Sequence, residues 1–225
     1  MHNLCKKQNI AFFWLYLYDI VTVMRITPPR FIRRLLPDLI WEIDDPNALF
    51  LTFDDGPTPG VTEYILDTLA KHNAKATFFV LGKNVEMYPE LYQRIIDEGH
   101  KVGNHTYSHQ KGWKMSLERY IEDIDFAGDV VHSELFRPPY AQITIAQIRA
   151  IASRYKIVMW DIISRDYNQS LSPEKCLKNV TKYLRGGSIV VFHDSEKAFR
   201  NMSYALPRTL EYAASKGLEC KIIEL

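Results

Sequence analysis

Cysteine is scarce in this sequence of 225 residues, and net charge is nearly absent. Three cysteines, Cys5, Cys176 and Cys220, lie far apart without a CxxC pair, so neither a disulfide framework nor a thiolate zinc site is indicated. The 28 Lys and Arg residues nearly balance the 27 Asp and Glu residues. This balance excludes the strong positive field of a nucleic-acid-binding protein and favours a neutral partner. Nothing in the sequence indicates an obligate protein partner.

A long apolar run is also missing. The longest candidate, residues 10–23, follows Lys6 and Lys7 but is interrupted by Asp19, and a membrane span needs about 20 residues. Three interpretations stay open: a weak signal or anchor, a packing helix, and extra upstream sequence with translation starting at Met24. We favour Met24, because the basic lead-in RITPPRF follows it; an intact mass beginning at Met1 would exclude this interpretation. Membrane association therefore stays open, as does location in the cytoplasm or in the cell envelope of a bacterium.

Short apolar segments alternate with amphipathic ones beyond residue 45. The helical segments carry one apolar stripe each, as Val61, Ile65 and Leu69 show at steps of four residues. The alternation predicts an N-terminal segment (1–45) and a single α/β domain (46–225) with a parallel sheet, either doubly wound or closed as a barrel. The seven predicted strands are short and apolar: 48–53, 76–81, 101–104, 134–137, 157–162, 188–192 and 218–223.

The densest polar clusters follow the predicted strands. Function gathers at the carboxyl ends of parallel strands, because the loops meet there. We therefore expect one rim to carry most of the chemistry. The residues placed there are Asp54 and Asp55, His105 and His109, Arg137 and Tyr140, Asp161 and Asp166, and His193.

Two histidines four residues apart suggest a metal site. On a helical turn, this spacing would place the imidazoles of His105 and His109 on one face, where they need a third ligand. Asp54 and Asp55 are neighbours whose side chains diverge, so one is expected to ligate and the other to take protons. Such a set suits catalytic zinc, although cobalt, nickel and manganese fit the same ligands. It also matches the facial triad of non-haem iron oxygenases, but the strand–helix pattern argues against that class.

Four ordered motifs together resemble the polysaccharide deacetylases, the NodB homology domain of carbohydrate esterase family 4. They are TFDDG at residues 52–56, HTYSH at 105–109, RPPY at 137–140 and VFH at 191–193. The resemblance runs from about residue 46 to the C-terminus. It implies a distorted (β/α) barrel with fewer than eight units, in agreement with about seven predicted parallel strands.

The resemblance also implies a role for each residue. Asp54 would be the general base for the attacking water, and Asp55, His105 and His109 would hold the metal. His193 would be the general acid that protonates the leaving amine. The remaining roles are these: Arg137 would keep Asp54 ionised, the backbone N–H of Tyr140 would stabilise the oxyanion, and Val191, Tyr140 and Trp160 would contact the substrate.

Two positions depart from the family pattern. Ala141 stands where the third motif usually has Gly, which matters only if the backbone there needs a positive φ. Ile163 stands where the family commonly has the Asp that orients the acid histidine. Asp161, two residues earlier on the same strand face, is one substitute, while Asp166 matches the second acid of the motif. A poorly oriented His193 would favour acetyl esters over amides.

The sequence therefore predicts a metal-dependent hydrolase that removes N-acetyl groups from an N-acetylated glycan of peptidoglycan or chitin type. Three alternatives stay open: an O-acetyl esterase, a related amidohydrolase, and a glycan-binding protein that kept the metal but lost turnover. An unligated carboxylate at Asp54 favours an enzyme, because a metal binder alone has no need of it.

Overall fold

The computed structural model describes residues 26–225, so the interpretations of residues 10–23 and of Met24 lie outside the described residues. Within the described part of the chain, no helix combines the length and the apolar character needed to cross a membrane. The strands are β1 (Ala48–Asp54), β2 (Thr77–Val80), β3 (Lys101–Asn104), β4 (Leu135–Phe136), β5 (Lys156–Ile157), β6 (Ile162–Ile163), β7 (Ile189–His193) and β8 (Glu219–Cys220). The α-helices are α1 (Arg30–Leu35), α2 (Val61–Lys71), α3 (Gly82–Met87), α4 (Pro89–Asp97), α5 (Leu117–Gly128), α6 (Ile145–Ile151), α7 (Pro173–Thr181) and α8 (Glu196–Ser215).

The strands form one parallel sheet in the order β5-β4-β3-β2-β1-β7-β6, and β8 pairs with the first residues of β1. This curled sheet confirms the distorted (β/α) barrel with seven strands along its path. One strand differs: the predicted segment 157–162 is two strands, β5 and β6, which stand at opposite ends of the path. The chain between them, residues 158–161, crosses the gap in the barrel.

Alternation along β1 separates two cores. Ala48 and Phe50 belong to a core inside the barrel, whereas Leu49, Leu51 and Phe53 belong to a second core between the sheet and the helices. Both faces of each strand are apolar because the sheet is covered on the outside and filled on the inside. This explains why the strands are continuous apolar runs rather than alternating ones.

The lead-in before β1 packs on the gap in the barrel. The N–H of Ile40 donates to the carbonyl of Ile157 at 2.9 Å, and the N–H of Met159 donates to the carbonyl of Ile40 at 2.7 Å. Leu39 and Trp41 are buried in the inner core. The described residues ahead of position 46 thus contribute to the barrel, and the division at residues 45 and 46 stays a prediction.

Local signals account for the helices. The predicted stripe Val61, Ile65 and Leu69 is the buried face of α2. The hydroxyl of Ser172 accepts the N–H of Lys175 at the start of α7, and a proline follows at the first helical position. These elements place the loops after β1, β3, β4, β6 and β7 at one rim of the barrel.

Candidate active site

The rim surrounds a cavity of about 710 Å³. Its wall includes the predicted substrate-contacting residues Val191, Tyr140 and Trp160, and also Ile163 and Tyr167. The indole Nε1 of Trp160 is buried without a hydrogen-bond partner among the described residues. The cavity therefore offers an apolar wall next to the polar groups described below.

Asp55, His105 and His109 lie at the floor of the cavity, with donor atoms all within 4.8 Å of one another. Asp55 Oδ1 is 3.0 Å from His109 Nε2 and 3.7 Å from His105 Nε2. The Nδ1 of His105 lies 2.7 Å from the carbonyl oxygen of Arg137. That nitrogen must carry the proton, because a carbonyl only accepts, and the lone pair of His105 Nε2 therefore faces Asp55.

These three residues fit a divalent metal. Burial lowers the pKa of His105 to about 4, which keeps the ring neutral and able to ligate. Burial alone would raise the pKa of Asp55, but His109 and the other nearby imidazoles hold it below the usual range. Asp55 Oδ1 is buried and accepts no well-aligned hydrogen bond within the described residues. A cation between a carboxylate and two imidazole lone pairs satisfies all of them at once.

The loop that carries the two histidines corrects one expectation. Residues 105–109 form an irregular bend after β3 and not a helical turn. Thr106 and His109 have positive φ values of 66° and 61°, and this bend brings the two rings to 5.3 Å between centroids. The two histidines therefore lie close together because of the positive φ values in this loop, and not because of helical periodicity.

Asp55 is itself in a strained conformation, with a φ of 88°. Such backbone is uncommon outside glycine and persists only where the surroundings hold it. Two contacts do so: Asn84 donates to the carbonyl of Asp55 at 2.8 Å, and Asp194 accepts the N–H of Gly56 at 2.8 Å. A Cβ on Gly56 would lie 1.7 Å from the Asp194 carboxylate, so only glycine fits this contact.

Asp54 points into the barrel beside the ligands and pairs with Arg137. Arg137 Nη1 donates to Asp54 Oδ1 at 2.7 Å and to the hydroxyl of Thr52 at 2.7 Å. Both charged side chains are buried. Burial by itself lowers the pKa of Arg137, while the charge of Asp54 opposes this effect. The pair holds an unligated carboxylate in place within the cavity.

The break between β5 and β6 supplies the remaining partners of Arg137. Its Nε donates to the carbonyl of Val158 at 3.1 Å, and its Nη2 donates to the carbonyl of Met159 at 2.9 Å. In a continuous strand, these carbonyls would accept hydrogen bonds from a neighbouring strand. The interrupted strand thus solvates a fully buried guanidinium with backbone oxygens.

His193 ends β7 and faces the same cavity. Its Nδ1 lies 2.7 Å from Asp166 Oδ1, and its N–H donates to Asp166 Oδ2 at 2.8 Å. Asp166 thus holds both the ring and the backbone of His193. The predicted weakness of the acid, based on Ile163, is therefore absent from the structure, and Ile163 lies in the cavity wall instead.

Asp161 does not support His193, which corrects that alternative. Its Oδ1 accepts the N–H of Ile189 at 2.9 Å, and its Oδ2 accepts from Ser188 at 3.0 Å and from Arg185. The reason is the broken strand: Asp161 precedes β6 and lies at the beginning of β7, whereas His193 is at its end. Four residues of strand separate the two ends, about 13 Å.

Asp166 also sets the protonation of His193. Burial would lower the pKa of His193, but the charge and hydrogen bond of Asp166, together with Asp55 and Asp54, raise it to about 9. A histidine that stays protonated at neutral pH suits a general acid.

Replacing Asp166 with Asn is expected to move the alkaline limb of the pH–rate profile to lower pH. The general-acid role that the family resemblance implies for His193 needs its protonated form, so activity should fall as pH rises through the pKa of His193. Asn in place of Asp166 should lower that pKa. A bound divalent cation lowers the pKa in both proteins alike, so the difference between them is the measured quantity. Asp161→Asn is the matched control and should leave the alkaline limb of the pH–rate profile at the pH of the unmodified protein. An unchanged alkaline limb in Asp166→Asn would contradict the role of Asp166 in holding His193 protonated.

The third motif shows that Ala141 is a consequential departure. Tyr140 and Ala141 have φ values of 58° and 56°, in the left-handed region. An alanine there costs roughly 1 to 2 kcal/mol that a glycine would not. The strain is tolerated because Ala141 is buried in the inner core and its N–H donates to Pro138 at 3.1 Å. Tyr140 is held at the mouth, with its ring 4.7 Å from that of His109.

Several residues of the site were given no role by sequence reasoning. Asp194 was placed at the rim beside His193, and it accepts the N–H of Gly56 at 2.8 Å and the hydroxyl of Thr62 at 2.9 Å. Thr52 was only part of a motif, and its alternation with Asp54 on one strand face was the available signal. Three cations at the mouth, Lys111, Arg165 and Lys197, had no local signal, because they come from segments far apart in the sequence.

Comparisons with known proteins identify the family of the chain. The model of the polysaccharide deacetylase family matches residues 42–160. A peptidoglycan-N-acetylglucosamine deacetylase of Bacillus cereus is 37% identical over 175 residues, 74% of this chain and 63% of that protein. A chitooligosaccharide deacetylase of Rhizobium leguminosarum bv. trifolii is 35% identical over 166 residues, 67% of this chain and 73% of that protein.

A solved structure shares the fold. It is a peptidoglycan N-acetylglucosamine deacetylase in complex with 4-naphthalen-1-yl-N-oxidanyl-benzamide, with a TM-score of 0.78 at 30% identity, covering 83% of this chain and 91% of that one. Fold and site thus define a parallel β/α barrel protein with a candidate divalent metal centre at its C-terminal rim. The chain belongs to the polysaccharide deacetylase family. It spans 63% of the length of the Bacillus cereus relative.

Proposed function

We propose that this protein hydrolyses the N-acetyl group of an N-acetylated glycan with the aid of zinc. One observation carries the proposal: an Arg-paired carboxylate and an Asp-paired imidazole flank the three metal-type donors. Asp54 and His193 are partners in the register of β1 and β7, so they stand on neighbouring strands at the same height. The named relatives act on peptidoglycan or on chitooligosaccharides, which supports a substrate of this class.

Asp55, His105 and His109 would hold the zinc ion. When bound, zinc lowers the pKa of water and polarises a carbonyl. Asp54 accepts a proton from the attacking water while Arg137 keeps the carboxylate in place. As the bond from the water oxygen to the acetyl carbon forms and the C–N bond breaks, His193 donates its proton to the leaving nitrogen. The products are acetate and a free amine.

The apolar wall would exclude water and receive the acetyl methyl group. Val191 lies two residues before His193 on the same face of β7, and Ile163 pairs with Val191 in register. Tyr140 would contribute its backbone N–H to the oxyanion and its ring to the sugar. The amide is proposed over the ester because His193 is firmly held by Asp166.

Acetate release tests this function. Protein stripped of metal by a chelator and given back zinc is offered N-acetylglucosamine oligomers and O-acetylated sugars. We expect release from the amide to vanish after stripping and to return with zinc. Release from esters alone would replace the proposal by an O-acetyl esterase. Tight zinc binding without release from either class would instead indicate a glycan-binding protein.

A further inference from the structure

The mouth of the cavity is cationic, although the chain as a whole is nearly neutral. Lys111, Arg165 and Lys197 line it; the first two come from loops, and Lys197 comes from the first turn of α8. In the part of the chain that the structure describes, none of the three lies within 4.0 Å of a carboxylate oxygen. Other cations do form such pairs, namely Arg33, Arg94, Arg137, Arg154, Arg185 and Lys221.

Two of these cations are positioned by aromatic rings of the site. The Nζ of Lys111 lies 4.7 Å from the ring centre of Tyr140, and the Nζ of Lys197 lies 5.9 Å from that of Tyr167. A ring face attracts an ammonium group and holds it near one place. The same rings contact the reactive groups: Tyr140 lies 4.7 Å from His109, and Tyr167 lies 5.0 Å from His193. One tyrosine ring therefore lies between each ammonium group and the histidine that it is near in the site.

These charges are not balanced by a carboxylate of the cavity wall. Among the residues that the structure describes, the acidic side chains lining the cavity are Asp54 and Asp55. Asp54 is paired with Arg137, and Asp55 faces the two ligand histidines. An uncharged glycan would leave three ammonium and guanidinium groups without an ionic partner, whereas an anionic one would pair with them.

We propose that the glycan carries a negative charge, a carboxylate or a phosphate, on the acetylated sugar or on the adjacent one, and that Lys111, Arg165 and Lys197 bind it. This substrate class rests on the proposed deacetylase function for its reaction, but the recognition of the anion does not require turnover. A net charge of +1 gives no strong field over the whole surface, so the attraction to the anion comes from these three side chains.

Binding measurements test the anion site without catalysis. Calorimetry on the zinc-loaded Asp54→Asn protein compares N,N′-diacetylchitobiose, the same disaccharide carrying a lactyl ether carboxylate, and N-acetylglucosamine 1-phosphate. We expect one charged probe to bind about tenfold more tightly than the neutral one at low salt, with a smaller difference at high salt. Comparison of the carboxylate with the phosphate identifies the source of the charge. Equal affinity for all three probes would overturn the proposal.

Substitutions assign the effect to the three cations. The triple variant Lys111→Gln, Arg165→Gln, Lys197→Gln should abolish the preference for the charged probe and leave the affinity for the neutral one unchanged. Lys216→Gln is the matched control: Lys216 lies 5.3 Å from the ring centre of Tyr212, the same arrangement away from the cavity. A preference that survives the triple variant would overturn the assignment.

Turnover separates this proposal from the function on which it rests. In the Asp54-containing protein, the triple variant should lower kcat/KM for the anionic glycan and spare that for the neutral one. Equal slowing of both would contradict the anion site. Absence of acetate release from all substrates would reject the deacetylase function alone, because the calorimetric preference is measured independently.

Discussion

Replacing Asp54 with Asn is expected to lower the rate of acetate release about 10²- to 10⁴-fold, the range typical of a general base. Asn has the same shape and keeps an oxygen for Arg137, but it cannot take a proton from water. Asp54 is not among the three metal-type donors, so zinc affinity should change little. Initial rates and zinc titration of the same preparation measure both effects.

Asp161→Asn provides the comparison for that variant. Asp161 is also a buried carboxylate paired with an arginine, but it lies at the opposite end of β7. It should lose stability and keep its turnover number. If Asp54→Asn retained most of the activity, another group would have to accept the proton, and the proposed mechanism would be wrong.

Replacing Arg137 with Met is expected to lower the free energy of unfolding by about 3 to 5 kcal/mol, the usual cost of leaving a buried charge unpaired. The variant leaves the buried carboxylate of Asp54 without its arginine partner and removes the donor to the hydroxyl of Thr52. It also leaves two backbone carbonyls at the break in the barrel without their donor. Urea unfolding measures this loss.

The same variant should also impair catalysis. Without the guanidinium, the carboxylate of Asp54 loses the donor that holds it beside the metal-type donors, so the rate of acetate release should fall. Arg137→Lys keeps the positive charge but not the planar, forked guanidinium. Its rate of acetate release should lie between those of the unmodified protein and Arg137→Met.

An exposed arginine pair calibrates the stability effect. Arg154→Met breaks an ion pair with Asp125 in which both side chains are nearly half exposed, and it should cost less than about 1 kcal/mol. Equal losses in Arg137→Met and Arg154→Met would show that the buried pair contributes no more than a surface one.

The barrel and most of the site could be predicted from the sequence because the relevant signals are local. Apolar runs followed by polar clusters locate strand ends, and parallel strands bring those ends together whatever the loops do. The donors Asp55, His105 and His109 meet as expected. The position of His193 opposite Asp54 follows from the pairing of β7 with β1.

The break in the fifth predicted strand could not be predicted, since residues 157–162 are uniformly apolar apart from Asp161. The interruption coincides with contacts to a residue distant in the sequence: Arg137 donates hydrogen bonds to the carbonyls of Val158 and Met159 from inside the barrel. The wrong placement of Asp161 follows from the same cause. Asp166 therefore holds His193, because it lies after β6 at the correct end.

The expectation of a neutral partner failed to anticipate the cationic mouth for a related reason. A net charge of +1 averages over the chain, whereas Lys111, Arg165 and Lys197 come to line one cavity only when the chain folds. Composition excludes a global field, but it does not describe a local one.

The matched height of Asp54 and His193 makes the site sensitive to insertions. Side chains alternate along a strand, so one extra residue within β7 would turn the imidazole of His193 toward the helices and bring an apolar neighbour into the cavity. The hydroxyl of Thr52, which donates to the carbonyl of Val190 at 2.9 Å, and Asp194 on Gly56 both fix the present alignment. Length changes in β7 are therefore expected to be far less tolerated than length changes in the loops around it.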